Sequence, residues 1–123
     1  MPIVQNAVAT RDDLARVLRE NTSVVIMKFG ADWCGPCKKI ESTVHDFMSK
    51  MPEQMLCTII DIDECFDVYA FLKSKKIVNG IPALVAYYKG NVHYAPDEVV
   101  IGTDTNQIRD FFVACKQAHH ELQ

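Results

Sequence analysis

Apolar residues recur along this chain in two periods, and the alternation between them sketches a fold before any chemistry is considered. Ile3-Val4 and Val8 predict a short first strand. Thr10 is followed three residues later by Asp13, an N-cap pair ahead of a helix whose Leu14, Val17 and Leu18 share one face. Ser23 to Phe29 is apolar except at Ser23 and Lys28, as expected of a strand buried on both faces. Ile40, Val44, Phe47 and Met48 return to helical spacing in a segment that starts at Cys34 and stops near Lys50, ahead of Pro52. Met55 to Ile62 predicts a third strand, ending in acids that suit a helix start. Val68, Phe71 and Leu72 mark a third helix, which exits through Ser74-Lys75-Lys76. Ala83 to Tyr88 predicts a fourth strand, turned by Lys89-Gly90-Asn91, and Val99 to Ile101 a fifth. Asp104 with Gln107 predicts a capping box for a last helix whose Ile108, Phe111, Phe112 and Cys115 face the core. Strands alternating with helices, then a hairpin and a closing helix, predict an α/β fold with a mixed sheet covered on both faces.

Composition narrows the function classes. A chain of 123 residues, 49% hydrophobic, is one domain over 1–123, large enough for one full core and not two. Net charge is −3 with no basic cluster, which argues against a nucleic-acid partner. The apolar runs are too short to span a membrane, so no membrane partner is expected. Met1-Pro2 lacks the basic and apolar regions of a signal peptide, and Glu121-Leu122-Gln123 is not a Lys-Asp-Glu-Leu type of retention signal. Five cysteines, an odd number without framework spacing, fit a reducing compartment. The expected location is cytoplasmic.

The chemistry concentrates in Trp33-Cys34-Gly35-Pro36-Cys37, between the buried strand and the helix that follows it. Thiols three residues apart on a first helical turn face the same side, close enough for a disulfide to close or open. With Cys34 at the N-cap, its sulfur meets free backbone N–H groups and the positive end of the helix dipole, both favouring thiolate. Pro36 falls in the first turn, where a missing N–H costs nothing. Cys37 lies deeper, placed to attack a mixed disulfide formed at Cys34. Zinc would need four ligands, and no second Cys-x-x-Cys or paired histidines follow at finger spacing. A structural bridge would close too small a loop to stabilise much. The motif therefore reads as a redox site with no metal.

These residues resemble the thioredoxin family, and further stretches extend the resemblance over most of the chain. Asp61-Ile62-Asp63-Glu64-Cys65 is similar to the end of the family's third strand, and Asn79-Gly80-Ile81-Pro82-Ala83-Leu84 to the segment that carries its cis-proline. Gly102 and the run Asp104 to Phe112 resemble the last glycine and final helix. The resemblance implies a thioredoxin fold: a central mixed sheet of about five strands flanked by about four helices. It implies catalysis by Cys34 and Cys37 through a redox-active disulfide, with no bound cofactor. Trp33, Gly35, Pro36 and Asp63 would support the site, Asp63 by holding the Trp33 indole N–H, and Lys28 occupies a further support position with a residue of this chain's own. Trp33, Gly80, Ile81, Pro82 and Gly102 would bind substrate. The partners implied are disulfide-containing client proteins and a thioredoxin-reductase-type flavoprotein using NADPH, with the protein acting as a monomer.

Lys28 is the main departure, because the family usually carries a buried Asp there; the basic residue that often faces that Asp aligns with Ile59. Lys28 could snorkel out, serve as a neutral amine base, or stay charged and stabilise thiolate, with Asp61 as a cross-strand partner. At an effective dielectric near 20 and about 6 Å, a charged Lys28 would attract a thiolate by roughly 3 kcal/mol before desolvation. Cys57 and Cys115 are expected in the core, whereas Cys65, at a helix start, is a candidate regulatory thiol. His119-His120 is expected as a solvated helix end, and residues 93–98 as an extension of the turn, tolerated or partner-binding. The expected activity is general protein-disulfide reduction by dithiol–disulfide exchange. The alternatives are a redox-regulated adaptor or a specialised disulfide oxidoreductase whose potential Lys28 alters. Disulfide-forming members usually have His where Pro36 stands, together with a secretory address, which argues against an oxidase or isomerase.

Overall fold

The computed structural model describes residues 3–122; the readings drawn from Met1-Pro2 and from Gln123 lie outside the described residues. Among the described residues nine elements follow one another: β1 (Val4–Gln5), α1 (Arg11–Glu20), β2 (Val24–Gly30), α2 (Gly35–Ser49), β3 (Leu56–Asp61), α3 (Phe66–Ser74), β4 (Ala83–Tyr88), β5 (Glu98–Ile101) and α4 (Thr105–His120). The strands form one sheet in the order β1-β3-β2-β4-β5. β1, β3 and β2 run parallel, and β4 is antiparallel to both its neighbours β2 and β5, so the sheet is mixed as predicted.

All seven residues of β2 are buried, because the central strand has a neighbour on each side and helices over each face. Its period of two divides the core. Val25, Met27 and Phe29 pack with Leu14, Leu18, Val68 and Leu72 of α1 and α3. Val24 and Ile26 pack on the opposite face with Ile40, Val44, Ile108 and Phe112 of α2 and α4. Lys28 shares that second face and therefore sits beneath α2.

Local chemistry sets the helix ends. The Thr10 hydroxyl accepts from Asp13 N–H at 3.0 Å, and the Asp13 carboxylate accepts from Thr10 N–H at 3.1 Å, closing the predicted box around α1. At α4 only half the predicted box forms. Asp104 Oδ1 accepts from the N–H groups of Asn106 and Gln107, and the Gln107 side chain makes no return bond to Asp104 among the described residues. The short Asp already satisfies two of the free donors of the first turn.

Several expectations are corrected. Val8 lies beyond β1, fully buried in the core rather than in a strand. The helix marked by Val68, Phe71 and Leu72 forms, and it also buries Tyr69, which the spacing did not single out. Phe71 is half-buried, with the Arg11 guanidinium 4.9 Å above its ring and Tyr94 5.8 Å away. His119 is not solvated: it is 6% exposed, its Nδ1 lying 2.7 Å from Ser23 Oγ. It stands four residues after Cys115, on the core face of α4, and ties the helix end to the start of β2. The extension at 93–98 folds back on the domain, since the buried Tyr87 hydroxyl donates to Tyr94 O at 2.7 Å.

Candidate active site

β2 delivers the chain to the carboxyl end of the sheet at Gly30, and four residues later α2 begins with Cys34 as its N-cap. Gly35 and Pro36 occupy the first helical positions, where the pyrrolidine ring replaces an N–H that would otherwise lack a partner. Cys34 and Cys37 are joined as a disulfide, their Cα atoms 5.3 Å apart. Cys34 Sγ also accepts from the Cys37 N–H at 3.2 Å, the helix-end contact that favours a thiolate once the bridge opens.

The two sulfurs occupy different surroundings although the residues are similarly enclosed, Cys34 at 5% and Cys37 at 4% exposed. Exposure therefore does not rank them; position does. Cys37 lies over the sheet: a Cβ placed on Gly30 would stand 3.5 Å from Cys37 Sγ. The inner sulfur thus lies within van der Waals reach of the end of β2. Cys34 sits at the open end of the helix beside Trp33, whose side is 68% exposed. The Trp33 Nε1–H donates to Asp63 Oδ2 at 2.9 Å, and Asp63 N–H in turn donates to Asp61 Oδ1 at 2.8 Å, so the turn after β3 orients the indole.

The second loop reaches the same end of the sheet. The Ile81–Pro82 peptide is cis. Ala83 pairs with Phe29 in the β2–β4 register, and one residue further along Pro82 stands across from Gly30. Gly102 holds this loop from the other side, its N–H donating to Pro82 O at 2.9 Å. Its φ of +106° is a conformation that side chains resist, which accounts for glycine there. Gly80 and Ile81 lead into Pro82, Ile81 half-buried against the α1–α3 core. Ile81, Pro82 and Gly102 thus lie at the end of the sheet from which the turn carrying Trp33 and Cys34 leaves β2.

Lys28 is 5% exposed, and burial lowers its pKa from the usual 10.5 while the Glu41 carboxylate works the other way. The expected partner, Asp61, is corrected: its Oδ1 is engaged by Asp63 N–H, and the charge acting on Lys28 is Glu41 from α2. Lys28, Cys37, Glu41, His45 and Asp61 line one cavity of about 180 Å³ under the helix. Glu41 and His45 were missed in the sequence, although a signal was there. They follow Cys37 by four and eight residues, so all three share one face of α2.

The remaining thiols are poor nucleophiles. Burial pushes Cys57 up to about 12 and raises Cys115 as well. Cys65 is 2% exposed, and its thiol is raised by burial and then by the carboxylates of Glu64, Asp61 and Asp13. Among the described residues, no three His, Cys, Asp or Glu side chains converge as metal ligands would.

A disulfide on the first turn of the helix that leaves the central strand of such a sheet defines a thiol–disulfide oxidoreductase. The family profile described as Thioredoxin matches residues 5–114, and the chain belongs to the thioredoxin family. Among curated relatives it is 32% identical over 85 residues to Thioredoxin 1 of Chlorobaculum tepidum, covering 69% of this chain and 77% of that protein. It is 30% identical over 93 residues to Thioredoxin 3 of Plasmodium falciparum, covering 76% of this chain and 48% of that protein. The thioredoxin of Malassezia sympodialis superposes with a TM-score of 0.69 at 22% identity, over 97% of this chain and 95% of that one. The activity is dithiol–disulfide exchange through Cys34 and Cys37.

Proposed function

We propose that the protein is a cytoplasmic, monomeric reductant of disulfides in client proteins, returned to its dithiol form by a thioredoxin-reductase-type flavoprotein. The observation that carries this reading is the Cys34 sulfur accepting from the Cys37 N–H at the start of α2, beside an exposed tryptophan. In the dithiol form, the Cys34 thiolate attacks one sulfur of a client disulfide docked along Trp33 and the Ile81-Pro82 loop. One sulfur–sulfur bond forms and one breaks, leaving a mixed disulfide. Cys37 then attacks Cys34 Sγ, the client leaves as a dithiol, and the protein carries the bridge. Two electrons pass to the client, so no metal or bound organic group is required. Insulin reduction driven by dithiothreitol tests this: the wild-type chain should accelerate precipitation of the insulin chains, and Cys34→Ser should not. A wild-type chain no faster than dithiothreitol alone would overturn the reading and favour a redox-regulated adaptor.

A further inference from the structure

The cavity beneath α2 joins the inner cysteine to a buried charge. Lys28 and Gly30 are two residues apart on one face of β2, about 7 Å along the strand. A Cβ on Gly30 would touch Cys37 Sγ, which places that sulfur above the same strip of sheet. The Lys28 ammonium makes no hydrogen bond or ion pair to a described residue, yet no buried side-chain nitrogen or oxygen among them lacks a partner. Its head therefore emerges into the cavity that Cys37 also lines. The other charged or titratable groups facing this space are Glu41 and His45 from α2, Asp61 from β3 and Asp32 from the turn after β2. Lys28 is the one lysine or arginine among the described residues that line it.

We propose that Lys28 is a positioning residue for the resolving step, its ammonium holding Cys37 as the thiolate that attacks the mixed disulfide. This rests on the assignment of Cys37 as the resolving thiol. In that step the Cys37 proton passes to solvent and the thiolate attacks Cys34 Sγ. The Cys34–Cys37 bond forms, and the bond from Cys34 to the client breaks. The client sulfur leaves with the electron pair and takes a proton from solvent. The ammonium stabilises a thiolate but gains nothing from the neutral disulfide, so it favours the dithiol form and makes the protein a weaker reductant. Glu41, facing the same space with opposite charge, opposes the effect.

The test isolates the inner thiol. In a Cys34→Ser background, the pH profile of iodoacetamide alkylation at Cys37 is followed by mass spectrometry, alone and with Lys28→Met or Glu41→Gln. Lys28→Met should raise the Cys37 pKa by a unit or more, a tenfold loss of thiolate at fixed pH, or about 1.4 kcal/mol. Glu41→Gln should lower it. Lys28→Gln removes the charge but keeps a polar head facing the cavity, and it carries the test if Lys28→Met does not fold. With both cysteines present, Lys28→Met should shift the glutathione equilibrium at least tenfold toward the disulfide, about 30 mV more negative. An unchanged Cys37 profile, or a shift of the same sign in both variants, overturns the proposal. The titration needs no client, so inactivity toward insulin bears on the reductase reading and not on this one.

Discussion

Replacing Lys28 by Met should stabilise the oxidised protein. The lysine is 5% exposed on the central strand, with apolar Ile26 two residues before it on the same face and Ile59 beside it in register on β3. Methionine matches the length of the stem and keeps those contacts while removing the buried charge. Exchanging buried ionic groups for apolar ones of similar volume gains about 1–4 kcal/mol. The lower half applies here, because the head reaches the cavity and Glu41 favours the charged form. A gain of about 1–2 kcal/mol corresponds to roughly 4–8 °C in Tm for a chain of this size. The pH dependence carries the sign. Burial lowers the Lys28 pKa in the folded state, so the unfolded chain binds more protons between that lowered value and 10.5. The penalty is complete below the folded pKa and fades as pH rises toward 10.5, where both states are neutral. Urea melts of oxidised wild type and Lys28→Met between pH 7 and pH 10 should therefore show an advantage for the variant that shrinks with rising pH. A variant no more stable at pH 7, or an advantage constant across the range, would show that Lys28 carries no burial penalty in the folded protein.

Three further outcomes follow from single contacts. Asp13→Ala removes the carboxylate that accepts from Ala9 and Thr10 N–H groups and should cost about 1 kcal/mol at neutral pH by urea melts. Those bonds hold Asp13 below its usual 3.8, so the contribution is present above that value and lost as pH falls through the lower folded one, closing the gap to wild type in acid. Phe112→Ala deletes a buried ring stacked on Phe47 at 5.0 Å and edge-on to Phe111 at 5.2 Å, and should cost about 3–5 kcal/mol by the same assay. Asp63→Ala releases the Trp33 indole, which is largely exposed, so stability should fall by less than about 1 kcal/mol. Client turnover should show a severalfold higher KM with kcat unchanged.

The order of elements and the mixed sheet were legible because each depends on local periodicity: the unbroken apolar run of β2, the Thr10–Asp13 box, the Cys-Gly-Pro-Cys helix start. Misreadings arose where a tertiary partner decided the outcome. Tyr69 was passed over in the helix pattern and is buried 5.7 Å from Phe29, while Phe71 packs at the margin of the same core beside Arg11 and Tyr94. His119 looked solvated because a histidine pair near a chain end usually is, and the serine that receives it lies 96 positions earlier. At the site, the two cysteines, the tryptophan and the proline loop were each marked by a motif. The Lys28 environment was not, because its cavity is assembled from β2, β3 and α2 and only their packing brings Glu41 to bear on it.

If Cys34 opens the client disulfide and Cys37 resolves it, each variant lacking one of the two sulfurs should trap mixed disulfides differently. Cys37→Ser and Cys34→Ser chains, reduced and then offered a disulfide-bonded client such as insulin, are quenched with acid and read by non-reducing mass spectrometry. Cys37→Ser should accumulate a covalent adduct through Cys34 that dithiothreitol releases, because the attacking sulfur is intact and the resolving one is gone. Cys34→Ser should accumulate none. Adducts on Cys34→Ser but not on Cys37→Ser would reverse the two roles.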